Sequence, residues 1–157
     1  PVEVFDIRTL KDAIAMVIRC GSLLGNEEMA GLLASEMQQL ADQPKLQRGT
    51  VLYFIWKNPW MLAGQGTFIS DLLDKCGWVN QVKNNRYPIW DKESGIDCDF
   101  IFLSSEPYPF KEKDKLELQT LFPKAQIIRV DGEMFSWYGS RLLEAPTYFK
   151  RLLTSVE

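Results

Sequence analysis

The stretch from Val51 to Phe68, VLYFIWKNPWMLAGQGTF, constrains the fold more than any other part of the chain. Val51–Trp56 is an unbroken apolar and aromatic run that reads as a strand, and Asn58-Pro59 ends it. A loop from Trp60 to Gly66 follows, and Thr67 opens a new apolar periodic segment. A strand that reaches a helix through such a loop places the loop at the carboxyl edge of a sheet. Ligands of open α/β sheets bind at that edge. The loop is expected to be exposed, so Trp60 needs a partner and becomes a candidate contact.

The same alternation continues downstream. Thr67 caps a helix carrying Phe68, Ile69, Leu72, Leu73 and Cys76, and Gly77 stops it. Asp99–Leu103 reads as a strand, Lys113–Leu121 as a charged amphipathic helix ending at Pro123, and Gln126–Val130 as a third strand. Ser140–Leu153 is helical, with Pro146 kinking or restarting it. Strands alternating with helices predict an α/β lobe of three layers, Rossmann-like, around a mainly parallel sheet.

The beginning of the chain departs from this rhythm. Val2, Val4 and Ile7 alternate with polar residues and predict a short strand. Thr9 to Asp12 is a capping-box start, Leu10, Ile14, Val17 and Ile18 share a helical face, and Gly21 is the expected stop. Asn26 with Glu27 and Glu28 starts a second helix, whose stripe is Met29, Leu32, Leu33, Met37 and Leu40 and whose end is Pro44. A lone first strand is an open edge unless a sheet lies upstream, so a preceding lobe is expected. The start at Pro1 reads as a processed or excised product, with any signal peptide removed.

Composition removes several function classes. The formal charge of the 157 residues is -3, with both signs interspersed, which argues against a nucleic-acid partner. No apolar run approaches the ~20 residues of a spanning helix. There is no histidine, so a Ser-His-Asp triad is excluded and the commonest metal ligand is missing. Cys20, Cys76 and Cys98 have no metal-ligand spacing and read as small buried hydrophobes. No cofactor and no metal ligand set is expected.

Four aromatic-rich loops fall near the carboxyl ends of the strands. They hold Pro59-Trp60, Arg86 to Trp90, Ser104 to Phe110 and Asp131 to Gly139. Aromatics on loops at one sheet edge make a rigid apolar surface suited to a large planar ligand. Packing of the same rings onto the core is the structural alternative. Gly64 to Thr67 could cradle a phosphate, though it lacks the P-loop lysine and reads equally as a turn with a threonine cap. Asp91, Glu93, Glu106 and Glu133 form no evident acid/base pair and read as solvated. Arg86 and Arg141 could hold an anionic ligand edge.

Three motifs, FIWKNPWMLAGQGTFISDLLDKCGW, RYPIWDKE and VDGEMFSWYGSRLLEAP, together with the order of elements, resemble the carboxyl-terminal half of cobalamin-type periplasmic binding proteins. This family, also called helical-backbone metal receptors, supplies the substrate-binding parts of ABC importers for corrinoids, ferric siderophores and haem. The resemblance implies two α/β lobes with ligand held between them. It divides this chain into residues 1–25 as the end of the amino-terminal lobe, 26–47 as the interlobe backbone helix and linker, and 48–157 as the carboxyl-terminal lobe. It implies that Trp60, Tyr87, Glu133 and Trp137 face ligand and that Glu93 docks on a membrane permease. It further implies a periplasmic protein, free or membrane-anchored, that is not an enzyme. An isolated lobe is expected to expose an apolar face and form a homodimer. The alternative from another class is an enzyme of doubly wound fold holding a nucleotide or phosphoester on Gly64–Thr67.

Overall fold

The computed structural model of the chain describes residues 2–42 and 47–154. Five strands form one sheet: β1 (Gly49–Trp56), β2 (Met61–Leu62), β3 (Trp78–Asn80), β4 (Phe100–Ser104) and β5 (Gln126–Val130). The order across the sheet is β2-β1-β4-β5, and β3 pairs with β1. β1 runs parallel to β3 and β4, and β4 runs parallel to β5, whereas β2 folds back antiparallel along β1.

Alternate residues of the strands feed two cores. Val51, Tyr53, Phe102 and Val130 face one side, with helices α1 (Leu10–Leu24), α2 (Glu27–Ala41), α3 (Phe68–Lys75), α5 (Gly132–Ser136) and α6 (Ala145–Thr154). Leu52, Phe54, Ile101, Leu103 and Ile127 face the other, where α4 (Glu112–Leu121) and the rings of Trp60, Trp90, Phe110 and Phe122 cover them. The layers are therefore helix, sheet, helix, as expected. Burial on both faces explains why Val51–Phe54 carry no polar residue.

The predicted β1, β4, β5, α3 and α4 are present within a residue or two of their expected limits. Thr9 caps α1 through a capping box with Asp12, and Thr67 caps α3 by accepting from Ser70 N at 3.1 Å. Ser140–Leu143 is a short 3-10 turn and α6 restarts at Ala145, so Pro146 occupies the first turn, where its missing N–H costs nothing.

Several expectations near the start are corrected. Residues 2–7 make no strand; Val2 and Val4 are almost fully exposed, because an extended segment with no neighbour to pair has no ladder. Gly21 does not stop α1, which runs on to Leu24 and ends on Gly25 in the left-handed region. Gly21 is instead where α2 approaches: a Cβ there would strike that of Ala30. Asn26 occupies the cap position of α2 but makes no side-chain cap bond. The buried stripe of α2 is Ala30, Ala34, Met37 and Leu40, while Met29 and Leu32 are exposed. The stop expected at Pro44 lies outside the described residues. Leu10, Ala13, Met37 and Leu40 join the same core as Val51 and Phe102, so α1 and α2 pack against this side of the sheet.

Among the described residues all three cysteines are free. Burial pushes the thiols of Cys76 and Cys98 up to about 12, so both are protonated and inert at neutral pH. Native-state labelling with a thiol reagent, read by mass spectrometry, is expected to modify Cys20 first and Cys98 only once the chain unfolds.

No helix among the described residues is long and apolar enough to cross a membrane.

Candidate functional site at the carboxyl edge of the sheet

β1, β4 and β5 run in the same direction, so the loops after Trp56, Ser104 and Val130 open on one edge. Two of these loops are tied together. Ser105 N donates to Val130 O at 3.0 Å, and Gly132 N donates to Ser105 Oγ at 2.9 Å. Gly132 is required there, because a Cβ would strike Ser104 Oγ and Glu106 Cγ. Asp131 caps the one-turn α5 by accepting from Glu133 N at 3.0 Å, and Phe135 anchors that turn in the core.

The anchor leaves Trp137 and Tyr138 outside. Trp137 is 53% exposed and Tyr138 is 41% exposed. With Met16 of α1, Ser136 and Gly139 they line an open recess of about 520 Å³. The Trp137 indole is held in place, since Nε1 donates to Glu106 Oε1 at 2.9 Å. Ser136 Oγ shares its proton between that oxygen at 2.9 Å and Gly132 O at 2.7 Å. Tyr138 stands edge-on to Phe68 at the start of α3, with centroids 5.5 Å apart. Further along the same edge Trp56, the last residue of β1, stands edge-on to Tyr108 at 5.6 Å.

Glu133 lies in this loop but is not free. Arg141 Nε approaches its Oε2 at 3.1 Å, and the same guanidinium reaches Asp131 at 3.7 Å and Glu144 at 3.1 Å. One cation shared by three carboxylates orders the loop and leaves no positive charge for an anionic ligand.

The remaining candidates are dispersed. Trp60 is not an exposed loop residue. It is only 7% exposed, lies parallel to Phe110 at 5.8 Å and edge-on to Phe54 at 5.4 Å, and its Nε1 donates to Glu117 at 3.3 Å. Both ring faces belong to the α4-side core because Met61–Leu62 form a strand and pull the loop inward. Lys57 Nζ, 4.7 Å from the ring centroid, completes that packing. Tyr87 is exposed on the segment that runs beside β2, held by Gly64 N to Arg86 O at 2.7 Å and Leu62 N to Pro88 O at 3.0 Å. Glu93 lies in the exposed turn after Trp90, where its backbone N donates to Asp91 Oδ1 at 2.9 Å. The structure thus places Glu133 and Trp137 in one loop, buries Trp60, and leaves Tyr87 exposed beside β2 and Glu93 in an exposed turn.

Glu106, Met16 and Trp56 are site neighbours to which sequence reasoning gave no role. Glu106, two residues beyond β4, reads from sequence only as a solvated carboxylate, and its place after that strand could have singled it out as the carboxylate facing the β5 loop. Met16 carried no signal, because its place depends on how α1 packs.

The phosphate-cradle alternative finds little support in the geometry. Thr67 Oγ1 donates to Gly64 O at 2.8 Å and accepts from Ser70 N, so the first turn of α3 is capped internally. Asp71 stands in that turn and accepts from Leu10 N at 2.8 Å, which places a carboxylate where a phosphate would need cations.

No family model matches the chain, and no curated protein matches it. Solved structures do. The chain is similar to a protein of Staphylococcus epidermidis ATCC 12228 described as possibly iron-binding (periplasmic solute-binding), with 24% identity and a TM-score of 0.78 over 99% of this chain and 65% of that one. It is similar to the periplasmic vitamin B12 binding protein BtuF of Vibrio cholerae, with 18% identity and a TM-score of 0.72 over 96% of this chain and 64% of that one. The S. aureus protein IsdE, solved with heme, matches at 16% identity and a TM-score of 0.69 over 92% of this chain and 65% of its own. The chain spans less than two thirds of the length of these proteins. Over nearly all of its length it therefore has the α/β fold found in these solute-binding proteins.

Proposed function

We propose that this chain is part of the solute-binding component of an ABC importer for a metal chelate, a corrinoid, ferric siderophore or haem, and that it performs no chemistry. The observation that carries this is the exposed aromatic rim at the carboxyl edge, on a fold shared with proteins that bind B12 and heme. Trp137 and Tyr87 are exposed rings that suit contact with a ligand, and Glu133 contributes through its pair with Arg141. Trp60 supports the edge from within the core. Glu93, exposed and charged, suits docking on a permease, where such a contact governs orientation and on-rate more than affinity. The location that fits is periplasmic, or membrane-anchored on that side. The homodimer expected from an uncovered face gains no support from these proteins.

Titration with cyanocobalamin, haemin and a ferric siderophore, followed by tryptophan fluorescence, tests this. At least one is expected to bind saturably, and Trp137→Ala is expected to weaken it about tenfold, the value of ~1.4 kcal/mol of aromatic contact. Stability should change by no more than about 0.5 kcal/mol, as for other exposed positions. Unchanged affinity in a folded Trp137→Ala variant would remove the rim from the binding site.

A further inference from the structure

The recess beside Trp137 carries a charge pattern that bears on which chelate it takes. Trp137 and Ser136 line it, and both reach Glu106 Oε1 at 2.9 Å. Among the described residues no cation pairs with Glu106, and no hydrogen bond reaches its second oxygen, Oε2. Among the described residues, two basic groups on the segments that form the recess are engaged by carboxylates. Arg141 is divided among Asp131, Glu133 and Glu144. Arg19, three residues on from Met16 in α1, is held by Glu3 at 2.8 Å. Arg129 lines a neighbouring recess with Ser105, Phe110 and Asp131, and no ion pair is formed between it and Glu106.

We propose that this recess selects a chelate that carries no net negative charge, with Glu106 as the specificity-determining residue. The proposal rests on the solute-receptor reading above and narrows its ligand. A chelate laid on the Trp137 ring displaces water from the indole and from the carboxylate hydrogen-bonded to it. Loss of water strengthens every remaining charge interaction. A polyanionic chelate then meets the Glu106 carboxylate, which no cation among the described residues neutralises, and that is discrimination by repulsion. An uncharged or cationic chelate avoids that cost. An amide or hydroxyl donor on such a chelate has Glu106 Oε2 as its acceptor.

Equilibrium ultrafiltration of the chain against three coloured probes tests this: an uncharged ferric trihydroxamate, cyanocobalamin, and a trianionic ferric tricatecholate. At low ionic strength at least one uncharged probe is expected to bind about tenfold or more tighter than the trianion. The gap is expected to narrow in about 0.5 M NaCl, where screening shortens the reach of charge. Glu106→Gln should strengthen trianion binding severalfold, and Glu133→Gln, which also removes a carboxylate from the edge, should act in the same direction. A trianion that binds as tightly as the uncharged probes overturns the charge selection alone. So does an unchanged ratio in both folded variants. Binding of none of the three probes, nor of haemin, overturns the solute-receptor reading and the selection with it.

Discussion

Phe135→Ala is expected to destabilise the chain by about 3–5 kcal/mol, the range for deleting a fully buried phenylalanine. The ring has no exposed surface and packs against Tyr53 at 5.1 Å, Phe149 at 4.9 Å, Phe102 at 6.1 Å and Tyr148 at 6.3 Å. It joins β1, β4 and α6 through one side chain, so no single neighbour can collapse into the space left behind. The loss is a large share of the ~5–15 kcal/mol that holds a domain together. Urea unfolding followed by circular dichroism measures it, and a loss below about 1 kcal/mol would mean that the site can collapse. The same residue anchors the turn that presents Trp137. Phe135→Ala should therefore also broaden or shift the fluorescence of Trp137, whereas Trp137→Ala should leave stability nearly unchanged.

Asp114→Ala is expected to cost about 3 kcal/mol, near the lower end of the range for breaking a buried ion pair. The Asp114 side chain is fully buried, with one oxygen 2.8 Å from Lys57 Nζ and the other accepting from Lys111 N at 2.8 Å at the start of α4. Removing it strands Lys57, whose side chain is 14% exposed, beside Glu117 alone at 2.6 Å, and it also removes a helix cap. The remaining Glu117 contact is why the upper end is not expected. Lys57→Met combined with Asp114→Leu should recover most of the loss, since no unpaired charge remains.

The same cluster sets a pH window. Burial works to raise the Asp114 pKa, but the Lys57 and Lys111 hydrogen bonds outweigh it, and the folded value lies below the ordinary 3.8. Its stabilisation is present above that ordinary value and is lost as pH falls through the folded one. Burial works to lower the Lys57 pKa, but its bonds to Asp114 and Glu117 raise it above the ordinary 10.5. Its contribution is fully present below 10.5 and is lost as pH rises through the folded value. This pair's contribution to the urea midpoint should be constant between these limits and fall beyond each of them; above about 9 the buried thiols of Cys76 and Cys98 add a fall of their own, because the unfolded chain ionises them first. In Asp114→Ala the acid-side fall should be smaller.

The regular elements were legible because their signals are local. Thr9 and Thr67 mark helix starts through the bonds that their hydroxyls make within one turn. The apolar run before Asn58 could bury both faces only as an inner strand. Elements that depend on distant partners escaped notice. Met61–Leu62 is a strand only because β1 lies beside it, and the α2 stripe shifted from Met29 and Leu32 to Ala30 and Ala34 because α1 approaches closely at Gly21.

For the site, the sequence alone determined that the aromatic loops follow parallel strands and that these 157 residues bring no histidine to a ligand edge. Which rings remain available was decided by the tertiary structure. Trp60 and Trp137 look alike along the chain, yet one is sandwiched in the α4-side core and the other stands in the open, pinned by Glu106. The physical reason is that burial belongs to what packs around a side chain. For Trp60 those neighbours are Phe110 and Glu117, about fifty residues away, and no local pattern encodes them.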